Sequence, residues 1–318
     1  MRTIVTAALF AVLAGCEAGT PTNDGQTPQD EGDVIAQATS PAGPNPLPAY
    51  FDCLRENDAL LMATHRAGPT PGYPENALET MQNALEASFI VFEIDVAESR
   101  DGVLFLMHDR TLGRTTTLDG PVVDTDWADI SRARLIDNSG AVTNFNPPKL
   151  TDVLLWAVEN DAIVELDRKS STSFRNIVAA VRAAGAEHNT ILITYDDNDA
   201  GEVARLAPDM MLTASARGSR DISRLEQIGV KRANLIAWTG TRAPDAAAFR
   251  RLIEESVEPA FGTLGRPGER LDDDWLSDGD ASEFAELAED GLVLLATDRP
   301  FEIAPQIDAD DRAAVCLR

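Results

Sequence analysis

Short apolar runs alternate along this chain with longer stretches in which apolar positions recur every three or four residues. The runs read as strands, at 60–64, 89–97, 104–108, 163–167, 191–195, 211–214, 235–238, 260–263 and 293–297. Helical periodicity marks 77–87, 151–159, 174–184, 245–255 and 282–289. Alternation of this kind predicts an α/β fold, a parallel sheet covered by helices. Eight such units close a (β/α)8 TIM barrel in roughly 250 residues, which suits the span 48–318. Nine candidate strands are one too many, and the run 235–238 is taken as the surplus, a short extra strand. The longest connection, about 110–148, is dense in Thr, Asp, Gly and Asn and follows the third strand. Loops of that length within compact domains are often functional, and in a barrel those after strands sit on the active face.

The first residues change the picture of where the folded body begins. Residues 1–16 carry one early positive charge, Arg2, and then an apolar run from Ile4 to Ala14. That run is too short to span a membrane as a helix but suits a signal peptide. Its end, Leu13-Ala14-Gly15-Cys16, resembles the lipobox of bacterial lipoproteins. The resemblance implies a lipidated Cys16 and an exported protein anchored to a membrane, facing the periplasm or the cell surface. An ordinary secretory signal with a chance cysteine is the alternative. Residues 17–47 lack an apolar period and are rich in Pro, Gly, Thr, Asp and Gln, as expected of a flexible linker. Cys53 and Cys316 stand at the two ends of the folded body. Exported proteins meet oxidising conditions and chain termini often lie close together, so a Cys53–Cys316 disulfide is expected.

Composition narrows the partners. A formal net charge of −26 argues against nucleic acid, which is bound by basic surface. Most of the acids are expected on a solvated, self-repelling surface, and a few to hold a cation. No protein partner is evident.

Chemistry concentrates at strand ends, which converge on one mouth in a barrel. His65 ends the first strand and His108 the third. Glu93 and Asp95 lie two apart on the second strand and share a face. Glu165, Asp167 and Lys169 do the same at the end of the fourth. Carboxylates crowded at one spot are costly unless an ion neutralises them, and hard oxygen ligands suit Ca2+ or Mg2+. Two flanking histidines could move protons at neutral pH, and Arg66 could supply a planar fork for phosphate oxygens. His188 lacks such company and reads as a surface residue.

The ordered set His65-Arg66, Pro74-Glu75-Asn76, Glu93-Ile94-Asp95-Val96, Asp101-Gly102, His108-Asp109, Leu112, Arg114-Thr115-Thr116 and Gly120 resembles the glycerophosphodiester phosphodiesterase family. Pro148-Lys149-Leu150 and Thr297-Asp298-Arg299-Pro300 extend the likeness. The resemblance implies a TIM barrel that hydrolyses glycerophosphodiesters to sn-glycerol 3-phosphate and an alcohol with a divalent cation. It implies His65 and His108 as the acid–base pair, Arg66 and Lys169 as phosphate contacts, and Glu75 as a residue lining the site. Glu93, Asp95 and Asp167 would hold the cation. The family carries Glu where Asp167 stands, which leaves Glu165 as a rival ligand. Ala67 replaces a usual glycine, Ala77 a usual threonine, and Phe261-Gly262-Thr263-Leu264 stands where the family has a Trp-Thr-Val-Asn-like strand. The long connection at about 110–148 would be the family's small inserted subdomain, which recognises the glycerol end. Two other readings compete: a related barrel phosphodiesterase acting on intact phospholipid, and a surface lipoprotein that binds phosphodiesters without turning them over.

Overall fold

The computed structural model describes Gly43, residues 45–307 and residues 312–316. Cys16, the apolar leader and most of the linker lie outside the described residues. The strands are β1 (Leu61–Thr64), β2 (Val91–Glu98), β3 (Leu104–Leu106), β4 (Ile163–Arg168), β5 (Thr190–Ile193), β6 (Met211–Ser215), β7 (Leu235–Trp238), β8 (Glu258–Gly262) and β9 (Leu294–Thr297). All but β3 are parallel and run in the order β1-β2-β4-β5-β6-β7-β8-β9, with β9 pairing back onto β1. This is a closed eight-stranded TIM barrel.

The helices are α1 (Leu47–Glu56), α2 (Leu78–Glu86), α3 (Trp127–Ile130), α4 (Leu150–Glu159), α5 (Phe174–Ala184), α6 (Asp197–Leu206), α7 (Ser219–Gln227), α8 (Ala246–Glu254), α9 (Leu271–Trp275), α10 (Ser282–Glu289) and α11 (Pro300–Ile307). Several start where a side chain takes an otherwise unpaired backbone N–H. Ser173 accepts from Asn176, Asp196 from Asn198 and Asp199, and Asp245 from Ala248. Their apolar faces pack on the outer face of the sheet, where Phe92, Ile94, Leu166, Ile177 and Val181 share one continuous core.

The surplus strand is β3 rather than 235–238. Only residues 99–103 separate β2 from β3, whereas a parallel crossover needs a dozen or more. The chain instead reverses through Gly102, at φ +86°, and the Ser99 N–H bonds to the Val103 carbonyl at 3.0 Å. The result is an antiparallel hairpin pairing Val96 with Leu106 and Glu98 with Leu104. β7 is a full member of the barrel, in register with β6 from Leu235 to Trp238. The insertion follows β3 in the chain but belongs to the connection after the second barrel strand. It packs around Phe105, Met107, Leu112, Val122 and Ile130.

Inside the barrel, Ala63, Val91, Ile163, Ile191, Met211 and Ile236 meet α1, which closes the end opposite the mouth. Leu47, Phe51 and Leu54 of α1 are fully buried, each contributing about 1.5–3 kcal/mol of transfer free energy. The helix thus begins at Leu47, the last residue of the expected linker. Cys53 of α1 is joined to Cys316, with an S–S distance of 2.07 Å. His188 is half-buried in the turn Glu187–Asn189 leading into β5, rather than on the open surface, and lies at the end of that strand remote from the mouth.

Candidate active site

The strands deliver side chains to the mouth through simple alternation. Glu93 pairs with Glu165 and Asp95 with Asp167 across β2 and β4, so four carboxylates face the barrel interior in two rows. Oxygens of Glu93, Asp95 and Asp167 lie within 4.8 Å of one another, and all three residues are buried. Glu165, in the deeper row beside Glu93, is outside this group and makes no ion pair among the described residues; burial alone pushes its carboxyl up to about 7.

The three clustered acids are not alike. Burial, with Asp95 beside it, holds Glu93 above the usual carboxylate range. Asp95 is equally buried, yet Lys169, His108 and Arg66 outweigh that and keep it below its ordinary value. The Lys169 ammonium lies 2.5 Å from Asp95 Oδ1 and 2.6 Å from Asp167 Oδ2. Asp167 Oδ2 also accepts from the Tyr195 hydroxyl at 2.7 Å, while Asp167 Oδ1 is buried with no hydrogen-bond partner among the described residues. Three convergent carboxylates with an unsatisfied buried oxygen fit a hard divalent cation.

His65 follows β1 directly. Its Nδ1 donates to Asp298 Oδ1 at 2.6 Å, and its Nε2 lies 3.8 Å from Glu93 Oε2. Burial disfavours the imidazolium, but Asp298 and Glu93 outweigh it, and the proton affinity rises above the usual histidine value. Asp298, just past β9, is fixed in turn by the Gly265 N–H at 3.0 Å and by Arg270 at 2.9 Å. His108 lies two residues beyond β3, in the loop, rather than ending the strand. Its Nδ1 faces Asp109 Oδ1 at 2.7 Å. Arg114 draws the Asp109 carboxyl down to about 2. With each Nδ1 engaged by an aspartate, Nε2 is the nitrogen left for chemistry on both rings.

Glu75 joins the halves of the mouth. It accepts from Arg66 at 3.1 Å and from both terminal nitrogens of Arg114, at 2.8 and 2.7 Å. Arg66 keeps a buried Nε–H without an acceptor, 3.8 Å from Asp95 Oδ2. The backbone is strained here: Arg66, Ala67 and Asn76 hold φ of +51°, +74° and +58°. Ala67 therefore occupies a left-handed position that a glycine adopts without a steric penalty. Asn76 uses its conformation to bond Asp95 twice, through Nδ2 at 2.6 Å and by accepting the Asp95 N–H at 2.9 Å.

The expected residues His65, Arg66, Glu75, Glu93, Asp95, His108, Asp167 and Lys169 thus meet at one mouth. Roles for Asp298, Arg114, Asn76 and Tyr195 were missed. Asp298 and Tyr195 stand just beyond the ends of β9 and β5, where a polar residue could have been flagged by position alone.

A parallel barrel with an acidic, two-histidine mouth defines the class, and comparison with known proteins defines the family. Residues 65–248 match the Glycerophosphoryl diester phosphodiesterase family, more than half of the chain, and the protein belongs to that family. Uncharacterized protein YqiK of Bacillus subtilis is 32% identical over 150 residues, covering 45% of this chain and 61% of the relative. A probable glycerophosphodiester phosphodiesterase 2 of Mycobacterium tuberculosis is 27% identical over 196 residues, 62% of this chain and 65% of the relative. The chain thus spans a little under two thirds of either curated relative. A glycerophosphoryl diester phosphodiesterase structure from Parabacteroides distasonis superposes with a TM-score of 0.68 at 26% identity, covering 79% of this chain and 86% of that one. An Oleispira antarctica phosphodiesterase, solved with the product sn-glycerol-3-phosphate, shares the fold at TM-score 0.59 and 19% identity, covering 78% of this chain and 97% of that one.

Proposed function

We propose that this protein hydrolyses glycerophosphodiesters to sn-glycerol 3-phosphate and an alcohol. The observation that carries the reading is the convergence of Glu93, Asp95 and Asp167 beside two histidines, each tied through Nδ1 to an aspartate. Family membership supports the reaction class, and the product bound to the Oleispira relative supports the product.

Glu93, Asp95 and Asp167 would hold a divalent cation, Ca2+ or Mg2+, which would supply Lewis-acid polarisation of the phosphodiester. Arg66 offers its free Nε–H to a non-bridging phosphate oxygen. Lys169 balances Asp95 and Asp167 beside them and would offer its positive charge to the same phosphate. One histidine takes a proton from the attacking hydroxyl as the new P–O bond forms: that of water, giving sn-glycerol 3-phosphate directly, or that of the glycerol 2-position, giving a cyclic phosphate that a water then opens to the same product. The other gives a proton to the alcohol oxygen as its P–O bond breaks. The insertion covers the glycerol end, and Asp137 ties it to the loop after β1 by accepting the Gly72 N–H at 2.8 Å.

The signal-like leader, Cys16 and the disulfide support export and anchoring through lipid. No described helix is long and apolar enough to cross a membrane. The direct test is release of sn-glycerol 3-phosphate from glycerophosphocholine, with chelator and then with Ca2+ or Mg2+ restored. Turnover lost on chelation and regained on repletion is expected. Turnover indifferent to chelation would remove the cation from the scheme, and cleavage of diacyl phospholipid alone would move the substrate to intact lipid.

A further inference from the structure

Beside His65 and Arg66 the mouth opens into a cavity of about 700 Å3, walled by the insertion at Ile136 and Asp137 and by the loop after β8. Four guanidinium groups line it, from Arg66, Arg114, Arg266 and Arg270. Glu75, Asp137 and Asp298 line it too, so the cavity is far less acidic than a chain of net charge −26 would suggest. Three of the four guanidinium groups are matched internally. Arg66 faces Glu75, Arg114 faces Glu75 and Asp109, and Arg270 faces Asp273 and Asp298. Arg266 has no ion pair among the described residues.

Its loop is nonetheless well held. The Gly265 N–H donates to Asp298 Oδ2 at 3.0 Å, and the Gly268 N–H to Asp273 Oδ2 at 2.6 Å. Pro267 restricts the backbone immediately after Arg266. The same Asp298 that orients His65 therefore also fixes the base of the loop carrying Arg266. Arg266 is itself solvent-exposed where it lines the cavity, and Leu264, Pro69 and Ile136 add apolar wall around it.

Resting on the proposed diesterase reading, the geometry points to Arg266 as a specificity residue. It makes the side of the cavity built from the loop after β8, as distinct from the insertion side that covers the glycerol end, favour glycerophosphodiesters whose alcohol carries a further negative charge, a carboxylate or a second phosphate. A neutral polyol has no use for an unmatched cation, and a quaternary ammonium would meet repulsion from it. An anionic alcohol supplies the counter-charge that the fold withholds from Arg266, in the planar, forked geometry a guanidinium offers.

The test compares kcat/KM for glycerophosphoinositol 4-phosphate and glycerophosphocholine in the wild type, Arg266→Gln and Arg266→Glu proteins. The anionic-to-choline ratio is expected to fall about tenfold in Arg266→Gln, the effect of roughly 1.4 kcal/mol, and further in Arg266→Glu. An unchanged ratio with both diesters hydrolysed overturns the assignment and leaves the diesterase reading intact. Calorimetric binding of the same two diesters to His108→Ala protein, with and without Arg266→Gln, separates the two claims. If the wild type hydrolyses neither diester yet Arg266 confers tighter binding of the anionic one, the diesterase reading fails and the Arg266 assignment stands. Equal binding of both, unaffected by Arg266→Gln, overturns the assignment whatever the activity.

Discussion

At the closed end of the barrel Glu258 is buried against Arg55 at 2.9 Å, under a helix whose apolar face fills the surrounding space. At the open end Glu93, Asp95 and Asp167 are as deeply buried, but three acids converge where Lys169 is the one ammonium bridging two of them. Both ends solve the problem of a carboxylate out of water. The closed end solves it with a resident guanidinium, Arg55, which also pairs with the more exposed Asp52. The mouth leaves Asp167 Oδ1 and Arg66 Nε without partners and places two histidines alongside. Unmatched polar atoms held in strained backbone are tolerated where a ligand completes them.

If that contrast is sound, changes at the mouth should cost activity and spare stability. His65→Ala and His108→Ala are each expected to lower turnover of glycerophosphocholine by on the order of 10²–10⁴. Thermal unfolding should move little, because neither ring is a core residue. Near-native turnover in either variant would break the acid–base assignment, and a collapse of the melting temperature would make that histidine part of the fold.

A finer division runs through the inward row of acids. Asp167→Asn removes an oxygen donor from the cluster and should raise the cation concentration for half-activation by roughly 10–100-fold, the scale seen even for supporting groups around a metal. Glu165→Gln, one row deeper, should leave that concentration unchanged. The reverse result would make Glu165 the third ligand and move the functional row one step towards the closed end.

How much of this was legible beforehand follows the physics of each signal. Alternation on β2 and β4 put Glu93, Asp95, Glu165 and Asp167 inside without any knowledge of the tertiary structure, since period two is a property of the strand itself. It could not rank Glu165 against Asp167, because ranking needs the height of each row along the barrel. The surplus strand was misassigned because 104–108 and 235–238 are both short apolar runs; the five residues between β2 and β3 held the answer, being too few for a crossover. Asp298 sits more than 200 residues from His65, and only barrel closure brings β9 beside β1. Arg114, named in the ordered set without a role, and Arg266 escaped for another reason. Both lie in loops, where no periodicity reports which way a side chain points.

The smallest effect concerns the closed end and tests whether its pair is a comfortable one. Burial pushes the Glu258 carboxyl up from 4.5 to about 7, even though Arg55 pulls it down. An acid raised in the folded state keeps its proton over a range where the unfolded chain has already lost it. Its contribution to stability is therefore complete below pH 4.5 and is lost as pH rises through about 7. Glu258→Gln cannot titrate, so it lacks this slope. Between pH 5 and pH 8 the variant should gain on the wild type by on the order of 2 kcal/mol, read from urea unfolding with chelator present throughout so that the mouth stays in one state. Should the two proteins keep a constant difference across that window, the Glu258 carboxyl is not raised and the Arg55 ion pair offsets burial. The closed end would then hold a fully settled charge, and the mouth alone would carry the molecule's electrostatic strain.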